Sequence, residues 1–572
     1  MYKKPIPEMS MEEQVNARIE DEKLARENKK KKDLEERREK ITAEKKKKAA
    51  VAPPIQPSGE TISDEDIQIY LDENSIGDAR LFSRLYRNKF IYVVNWELWL
   101  FWAGHHWEED FFNQKYQAIR KVWEIYQDFA DRKKAEANEE TDKDRQRYLQ
   151  KLADTAYQRV KNLTRPNGQE QLLESCKRIE NPLLAKPEQF DCNPFLKACP
   201  NGVINLKDGR LMPGRPEDYI LKALPTPYDP SLFDVPDPCP QTMDYLLSSM
   251  GETRGDKEVV DFIWRLLGYG LITKRTDHVF VIFWGEHGRN GKDTLIKLVT
   301  KVMGDELSGD VNVDMFLQTG APRSSSSSSP DILELRGMCI AWINEAEEHQ
   351  RFDLAKLKKL TGGGKISARG NYEKKSTKWE QTHLPIMTTN ELPKAKADDA
   401  AFWSRAIIVK WPFSFVPEPK EPHERPEIKN LDAKLQEESE VRGVLARMVK
   451  GAVEYLKNGF DLNVPEKVKA WAREQRLKFD DLAQFLEEWC VREPYQENPK
   501  DYQLKVRANE LYDAFCLWYA ENRDKRYSIS TRRFGELLNK KGIPSMKSNG
   551  TWRLGLTLTA EARERVENHA RS

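Results

Sequence analysis

Residues 279–294 read VFVIFWGEHGRNGKDT, and this stretch indicates the fold class of the central part of the chain. The apolar run Val279–Trp284 predicts a buried strand, and apolar residues at helical spacing after Thr294 predict an amphipathic helix. A glycine-rich turn between strand and helix lets backbone N–H groups converge on phosphate oxygens, and the helix N-terminus adds partial positive charge. Lys292 is placed to neutralise the outer phosphates of a nucleotide. The stretch therefore predicts a nucleoside triphosphate site.

The turn departs twice from the usual phosphate-loop pattern, G-x-x-x-x-G-K-[ST]. Five residues rather than four separate Gly285 from Gly291, and Asp293 replaces the Ser or Thr whose hydroxyl normally holds Mg²⁺. Thr294, or Asp293 itself, is then the candidate metal ligand. Glycine-rich turns also serve as plain strand–helix connectors, so the surrounding sequence has to support the prediction. The residues predicted to contact ATP and Mg²⁺ are Gly285, Gly288, Arg289, Asn290, Gly291, Lys292, Asp293 and Thr294.

Three more apolar runs follow the first one, each separated from the next by helical stretches. They are Met338–Ile343, Leu384–Met387 and Ala406–Val409. Uninterrupted apolar strands that alternate with helices are typical of a parallel sheet buried on both faces. The predicted fold class is therefore α/β, with a phosphate-loop core built on a parallel sheet.

Polar residues next to these runs predict the catalytic groups. Glu345 follows Met338–Ile343, which we expect to be the strand adjacent to the phosphate-loop strand. Its carboxylate is the candidate to bind Mg²⁺ and polarise the attacking water, and Glu347 is the second choice. Asn390 follows the next strand and can orient that water. Arg405 precedes the last strand and cannot readily serve its own nucleotide if it lies on the far side of the sheet. It is then predicted to act on a neighbouring subunit's nucleotide, as an arginine finger that accelerates hydrolysis about 10³–10⁵-fold.

Length and composition divide the chain into several parts. Its 572 residues carry 94 Lys and Arg against 93 Asp and Glu, a net charge of +1, so any nucleic-acid surface must be local. There is no apolar run of ~18 residues and no signal-peptide core, and the cysteines are scattered, which together predict a cytoplasmic protein without membrane contact. The predicted parts are a charged tail (1–60), a mostly helical N-terminal domain (61–270), the ATPase core (271–415), a helical segment (416–484), a winged-helix domain (485–558) and a C-terminal tail (559–572).

Two basic surfaces are predicted to contact DNA. Around a turn at Gly370-Asn371, the candidates are Lys365, Arg369, Lys374 and Lys375. In the C-terminal part, a helix capped by Ser530 is followed by a hairpin that turns at Asn549-Gly550, and the candidates there are Arg532, Arg533, Lys540 and Lys547. Between residues 500 and 553 there are 12 Lys and Arg against 6 Asp and Glu, which favours a phosphate-binding surface. The alternative is a domain that only packs against protein.

The order of these motifs resembles that of superfamily 3 helicases, and most closely the phage/plasmid primase type and the poxvirus primase-helicase type. The segments that carry the resemblance are GEHGRNGKDT, LRGMCIAWINEAEE, LKKLTGGGKISARG, LPIMTTNELP and AFWSRAIIVKWPF. The resemblance implies a hexameric ATPase ring of the AAA+ type that moves along single-stranded DNA. It implies that Glu345 is the acidic residue of the nucleotide site, Asn390 the sensor and Arg405 the finger acting in trans, and that 358–369 with the hairpin after it supplies a pore loop.

No primase-polymerase domain is expected ahead of the core, because the first 80 residues are too short and too charged, so a separate primase or polymerase is a possible partner. The expected DNA substrate is single-stranded or forked. One alternative is an initiator that binds a replication origin and uses ATP only to assemble. A packaging motor is a weaker alternative, because the C-terminal part lacks a nuclease-like acidic cluster.

Overall fold

The computed structural model describes residues 55–571 except 252, 319–328, 345–349, 370–375, 394, 396–398 and 523–528. These residues form two compact units. One holds the described residues up to Ala103 together with Trp107–Phe190, and the other holds Gly104–His106 and the described residues from Asp191 onward. The N-terminal domain predicted over 61–270 therefore spans parts of both units. Of the predicted tail, residues 1–54 lie outside the described residues, whereas Ser58 donates its backbone N–H to Leu85 O at 2.7 Å.

The first unit is mainly helical, as predicted for the N-terminal part. Its helices are α1 (Asp64–Asp72), α2 (Ser75–Tyr86), α3 (Gln114–Glu139), α4 (Lys143–Leu163) and α5 (Pro166–Cys176), and its strands are β1 (Phe90–Val93), β2 (Leu98–Trp102), β3 (Trp107–Glu109) and β4 (Leu184–Ala185). The apolar stretch Ile91–Trp107 predicts two short strands around a turn, whereas the structure has a sheet of order β3-β2-β1-β4. Ser63 and Asp142 cap α1 and α4 by accepting backbone N–H groups of the first turn.

The second unit begins with a small antiparallel sheet and two helices. They are β5 (Leu196–Cys199), β6 (Gly202–Asn205), β7 (Arg210–Met212), α6 (Pro240–Met250) and α7 (Arg254–Leu271). The turn residues Asn201-Gly202 and Asp208-Gly209 predict the hairpin β6–β7, and the structure confirms it. The helical spacing of Met243, Leu246, Leu247 and Met250 predicts α6, which is also confirmed. Helix α7 has a capping box, in which Thr253 Oγ1 accepts the N–H of Asp256 and the Asp256 carboxylate accepts the N–H of Thr253.

The central part of the second unit contains the predicted parallel sheet. Its elements are β8 (Phe280–Trp284), α8 (Lys292–Met303), β9 (Ser308–Val311), α9 (Pro330–Glu334), β10 (Ile340–Asn344), α10 (Leu354–Thr361), β11 (Lys365–Ala368), β12 (Thr377–Glu380), β13 (Leu384–Thr389), α11 (Ala400–Trp403), β14 (Ala406–Lys410), β15 (Ser414–Val416) and β16 (Glu424–Pro426). Five of these strands form a sheet of order β14-β8-β13-β10-β9, and all of its pairings are parallel.

Burial on both faces explains why the strand sequences are apolar throughout. Along β8, Val281 and Phe283 belong to one hydrophobic core, while Phe280, Ile282 and Trp284 belong to the core on the other face. Alternate residues of a strand point to opposite faces, so both sets must be apolar when helices cover both sides.

Two features of the sheet differ from the sequence predictions. The prediction that the strand preceding Glu345 is adjacent to β8 is wrong, because β13 lies between β10 and β8 and pairs with both. The edge strand β9, with the sequence SGDV, was not predicted. Its short, polar sequence lacks the apolar run by which the other four strands were identified.

A layer of helices packs on one face of the sheet. These are α7, α12 (Leu431–Leu435), α13 (Glu438–Lys457) and α14 (Glu466–Lys478). The last three lie in the predicted helical segment 416–484, which also contains the strand β16. Helices α7 and α13 cross closely at two glycines. A Cβ on Gly268 would lie 2.2 Å from Ala452 N, and one on Gly451 would lie 2.3 Å from Trp264 O.

The C-terminal part has its own hydrophobic core. Its elements are α15 (Asp481–Trp489), β17 (Cys490–Arg492), β18 (Lys505–Arg507), α16 (Ala508–Asn522), α17 (Thr531–Lys540), β19 (Ser545–Lys547), β20 (Thr551–Leu554), β21 (Leu556–Leu558) and α18 (Ala560–Arg571). The prediction of a Ser530-capped helix and a following hairpin is confirmed, and β18 adds to that hairpin in the order β18-β20-β19. Over the described ranges, no helix combines the length and apolarity needed to cross a bilayer.

Candidate functional site

The loop between β8 and α8 turns its carbonyl groups toward the protein. His287 O accepts Asn290 Nδ2 at 2.7 Å, Gly288 O accepts Ser414 Oγ at 2.7 Å, and Arg289 O accepts the backbone N–H of Phe415 at 2.9 Å. A trans peptide directs its N–H opposite to its C=O. The N–H group in the same peptide as each of these carbonyls therefore points away from the donor that the carbonyl contacts. In the described part of the chain, none of the backbone N–H groups of residues 286–291 donates to a protein acceptor.

The loop needs its glycines for two separate reasons. Gly291 has a φ of +89°, which an L side chain rarely adopts, and it is the residue immediately before α8. At Gly285 the space is occupied, because a Cβ there would lie 2.0 Å from Asn290 Nδ2 and 2.9 Å from Lys292 Nζ. Arg289 also lies in the left-handed region, with a φ of +56°. Consecutive N–H groups around such residues form a concave anion-binding site, and here a helix N-terminus follows it.

Lys292 is the buried charge of the site. Only 5% of the residue is exposed, and its Nζ donates to Asn390 Oδ1 at 2.9 Å. Burial lowers the pKa of Lys292 to about 8, and the nearby Asp293 carboxylate opposes this shift. The structure therefore brings together two predicted site residues, one at the start of α8 and one just after β13. A buried ammonium beside unpaired loop N–H groups is suited to bind a polyphosphate.

Polar side chains line the carboxyl ends of the next strands. Thr388 Oγ1 donates to Asn344 Oδ1 at 3.0 Å, and Asn344 Nδ2 donates to Asp310 Oδ1 at 3.0 Å. This row joins β13, β10 and β9, and the sequence analysis did not identify its members. Glu345 and Glu347, the predicted acids after β10, lie outside the described residues.

Asp293 and Thr294, the predicted metal ligands, lie in the first turn of α8, with Asp293 exposed and Thr294 partly exposed. Across the described ranges, no three His, Cys, Asp or Glu side chains converge as an all-protein metal cage would require. Mg²⁺ is usually held by one or two carboxylates together with substrate phosphates. The oxygen groups of Asp293 and Thr294 fit a metal ion that is held jointly with a bound nucleotide.

Three contacts from outside the motifs support the loop, and sequence reasoning missed all of them. Tyr245, on α6, donates its hydroxyl to Gly291 O at 2.5 Å, and a Cβ on Gly291 would lie 2.8 Å from the Tyr245 ring. Ser414 and Phe415, on β15, bind the loop carbonyls described above. His423 stacks on His287 with 3.9 Å between ring centroids. No local pattern marks these residues, because they reach the loop only through the tertiary fold.

Arg405 lies at the opposite end of the sheet from Lys292. It precedes β14, whose first residue pairs with Phe280 and whose last pairs with Trp284. Four steps of ~3.3 Å along the strand separate these levels by about 13 Å. Its Nη1 donates to Ala401 O at 2.7 Å, and its buried Nε has no hydrogen-bond partner. This placement agrees with the expectation that Arg405 cannot serve the nucleotide of its own subunit.

The predicted DNA-contacting residues fall into different environments. Lys365 is exposed on β11, opposite Glu380 of β12, and Arg369 follows that strand; Lys374 and Lys375 lie outside the described residues. Lys540 and Lys547 are exposed, on α17 and β19. Arg532 and Arg533 both pair with Glu536, at 3.3 and 3.4 Å.

Arg553, counted in the basic excess of the C-terminal part, does not face solvent. It is only 6% exposed and donates to the carbonyls of Gly535 and Ile543 and to Asn539 Oδ1. Its guanidinium therefore satisfies carbonyl groups inside the fold, and it is not part of a DNA-binding surface.

Comparisons with known proteins agree with the motif order. Residues 79–250 match the family described as D5 N terminal like. The chain is 26% identical over 453 residues to "Putative helicase L207/L206" of Acanthamoeba polyphaga mimivirus, which covers 76% of this chain and 44% of the relative. This chain is similar to D5-type primase-helicases. These matches confirm the predicted resemblance to poxvirus-type primase-helicases.

More distant relatives carry related names. "Putative primase C962R" of African swine fever virus (strain Badajoz 1971 Vero-adapted) is 22% identical over 269 residues, 45% of this chain and 27% of the relative. The chain thus spans less than half the length of each of these two relatives. Among solved structures, the apo C-terminal region of NrS-1 (305–718) covers 64% of this chain and 100% of its own, with 12% identity and a TM-score of 0.31. That score is too low to support an argument about the fold.

Proposed function

We propose that the chain is an ATP-dependent DNA helicase of the superfamily 3 type that works as a hexameric ring in the replication of phage, plasmid or other mobile-element DNA. In this proposal the β8–α8 loop is a phosphate loop in an AAA+ core, ATP and Mg²⁺ bind there, and the C-terminal part is a winged-helix domain. The names of the viral relatives, helicase and primase, support a role in replication.

One observation carries the proposal: the loop uses its carbonyl groups for protein contacts and leaves its N–H groups without protein acceptors. A plain connector between a strand and a helix has no need of three separate contacts that turn its peptides in this way. Binding an anion does require this orientation of the peptides, because each phosphate oxygen needs a hydrogen-bond donor. Lys292 adds a positive charge on the same side, and the energetic cost of burying that charge is offset when a polyphosphate binds.

Each candidate residue has a separate role in this proposal. Lys292 and the loop N–H groups bind the β- and γ-phosphates. Asn390, held by Lys292, orients the attacking water, and Glu345 polarises it. Asp293 and Thr294 would hold Mg²⁺ together with the nucleotide, and the metal ion would supply neutralisation of the phosphate charge. Arg405 completes the site of the adjacent subunit, because the sheet separates it from its own.

The test is a set of single and mixed variants. Lys292→Ala is expected to abolish ATP hydrolysis and nucleotide binding, and Arg405→Ala to abolish hydrolysis while preserving binding. Mixing the two inactive variants should restore part of the ATPase activity, because a subunit with an intact loop can then adjoin a subunit with an intact Arg405. Absence of rescue at every mixing ratio would contradict the assignment in trans.

A second assay separates the helicase from an initiator that only assembles on DNA. Purified protein with ATP and Mg²⁺ is expected to unwind a forked duplex. ATP-dependent assembly without strand separation would favour the initiator.

A further inference from the structure

The outer face of the C-terminal sheet carries an aromatic side chain that takes no part in the core. Trp552 lies on the central strand β20, directly opposite Arg507 of β18 and Met546 of β19. The neighbouring pair Val506 and Arg553 points inward, with 2% and 6% exposure. Because successive residues of a strand alternate between faces, Lys505, Arg507 and Trp552 share the outer face. We call these three residues the Trp552 platform.

The platform combines an aromatic ring with two cations. Both cations lie over the Trp552 ring in cation–π contact, with Lys505 Nζ 5.5 Å and Arg507 Cζ 5.4 Å from the ring centroid. The indole is held in place because its Nε1 donates to Ser548 O at 2.9 Å. The ring is partly exposed, and Lys505 and Arg507 are exposed. Among the described residues, Trp552 contributes to none of the hydrophobic clusters, so packing does not account for it.

The platform's cations differ from those of helix α17. No described carboxylate lies within 4 Å of Lys505 or Arg507, whereas Arg532 and Arg533 share Glu536. Lys505 and Arg507 therefore keep their charge for a polyanion, whereas Arg532 and Arg533 share theirs with Glu536.

We propose that the Trp552 platform binds single-stranded DNA, with an unpaired base stacked on the indole and its phosphates bound by Lys505 and Arg507. Ring stacking needs the face of a base, which a duplex keeps covered, and the two cations are complementary to the backbone. This inference rests on the proposed action on DNA. It assigns the C-terminal contact to the sheet and not to the α17 residues Arg532 and Arg533.

The test compares binding of the full chain to two fluorescent oligonucleotides, one of thymidines and one of the same length without bases. Stacking is worth about 1–3 kcal/mol per base, so Trp552→Ala is expected to weaken thymidine binding about 5-fold or more. It should leave binding to the abasic strand unchanged, and Trp552→Phe should restore most of the loss. Since Trp552 lies outside the core, an unchanged unfolding temperature would show that the variant folds.

The cations are tested by salt dependence. The double variant Lys505→Gln/Arg507→Gln should weaken binding to both oligonucleotides and reduce the slope of log K against log salt by about 1.4, at ~0.7 per phosphate contact. The matched pair Arg532→Gln/Arg533→Gln should change the slope less. If the helix pair alone reduces affinity, or if Trp552→Ala weakens both strands equally, the platform assignment is wrong.

ATP hydrolysis measured in parallel separates this inference from the proposed function. If Trp552→Ala loses thymidine binding and the wild-type chain does not hydrolyse ATP, the platform is supported and the ATP-dependent helicase is rejected. Normal hydrolysis with no effect of any platform variant would reject the platform alone.

Discussion

Replacing Lys292 by Met should stabilise the chain without nucleotide while removing its response to nucleotide. Burial lowers the pKa of Lys292 from 10.5 to about 8, which corresponds to a cost of about 3 kcal/mol for keeping the ammonium charged in the fold. Methionine has a similar length and carries no charge. Asn390, which loses its donor, is exposed and regains water. Lys292→Met is therefore expected to raise the free energy of unfolding by about 2–3 kcal/mol at pH 7.

The sign of the pH dependence follows from proton binding. Below pH 8, Lys292 is charged in both the folded and the unfolded states. The full free-energy cost of burying its ammonium group therefore lowers the stability of the wild type. Between pH 8 and 10.5 the unfolded chain binds more protons than the folded chain, so this group makes the wild type more stable as pH rises. The advantage of Lys292→Met should therefore fall to about 1 kcal/mol near pH 9.5.

Matched urea unfolding curves at pH 7 and pH 9.5 measure both quantities. Lys301→Met, at an exposed position on the same helix α8, is the control and should change stability by less than about 0.5 kcal/mol at either pH. A Lys292→Met variant that is less stable than wild type at pH 7, or whose advantage does not depend on pH, would refute the reasoning.

The same linkage predicts that nucleotide binding weakens at alkaline pH. If phosphates bind the protonated form of Lys292, the wild-type affinity for a non-hydrolysable ATP analogue should fall about tenfold between pH 7 and pH 9. Calorimetric titration at the two values measures it, and an affinity independent of pH would show that Lys292 is not the phosphate ligand.

Three further substitutions test the support of the site and of the fold. Tyr245→Phe removes one hydrogen bond to Gly291 O and keeps the ring. The Kd for nucleotide should therefore rise about 2- to 10-fold in calorimetric titration, with the unfolding midpoint nearly unchanged. An unaltered Kd would exclude a positioning role for Tyr245. Gly268→Ala inserts a methyl group into the crossing of α7 with α13 and should cost about 1–3 kcal/mol in urea unfolding. Gly255→Ala, also on α7, is the control and should not, because its Cβ would make only ordinary van der Waals contacts, at 3.6 Å to Lys467 and 3.9 Å to Thr253; equal effects would contradict the close packing. Arg275→Met removes the guanidinium that donates to the carbonyls of Tyr269, Gly270, Cys339 and Thr382, of which Tyr269 O and Cys339 O keep a backbone N–H donor. It should cost about 3 kcal/mol in the same assay, and a neutral result would show that water replaces the guanidinium.

Much of the central fold could be predicted because its signals are local. Four of the five parallel strands are apolar throughout, since helices cover both faces of the sheet. The hairpins at residues 202–212 and 545–554 were predicted from their Asn-Gly and Asp-Gly turns, and the Ser530 cap from its hydroxyl. These predictions concern neighbours in sequence, whose conformations depend on a few residues.

Other features depend on contacts between distant residues. The placement of β13 between β8 and β10, the edge strand β9 and the Lys292–Asn390 hydrogen bond across 98 positions have no local signature. Composition counted Arg553 as part of a basic surface, but its guanidinium is directed into the fold. A count of charges does not distinguish a solvated cation from one that donates to buried carbonyls.

The sequence alone determined that this chain has a glycine-rich turn between a buried strand and a helix, and which residue types that turn presents. The tertiary structure decided which way the peptides of the turn face, because Ser414 and Phe415 are brought to its carbonyl side by a strand that lies more than 120 residues further along the chain. Peptide orientation in a flexible loop is nearly degenerate in energy when the loop is isolated. Contacts from the rest of the fold select one orientation, and that selection leaves the N–H groups directed toward the open side of the loop.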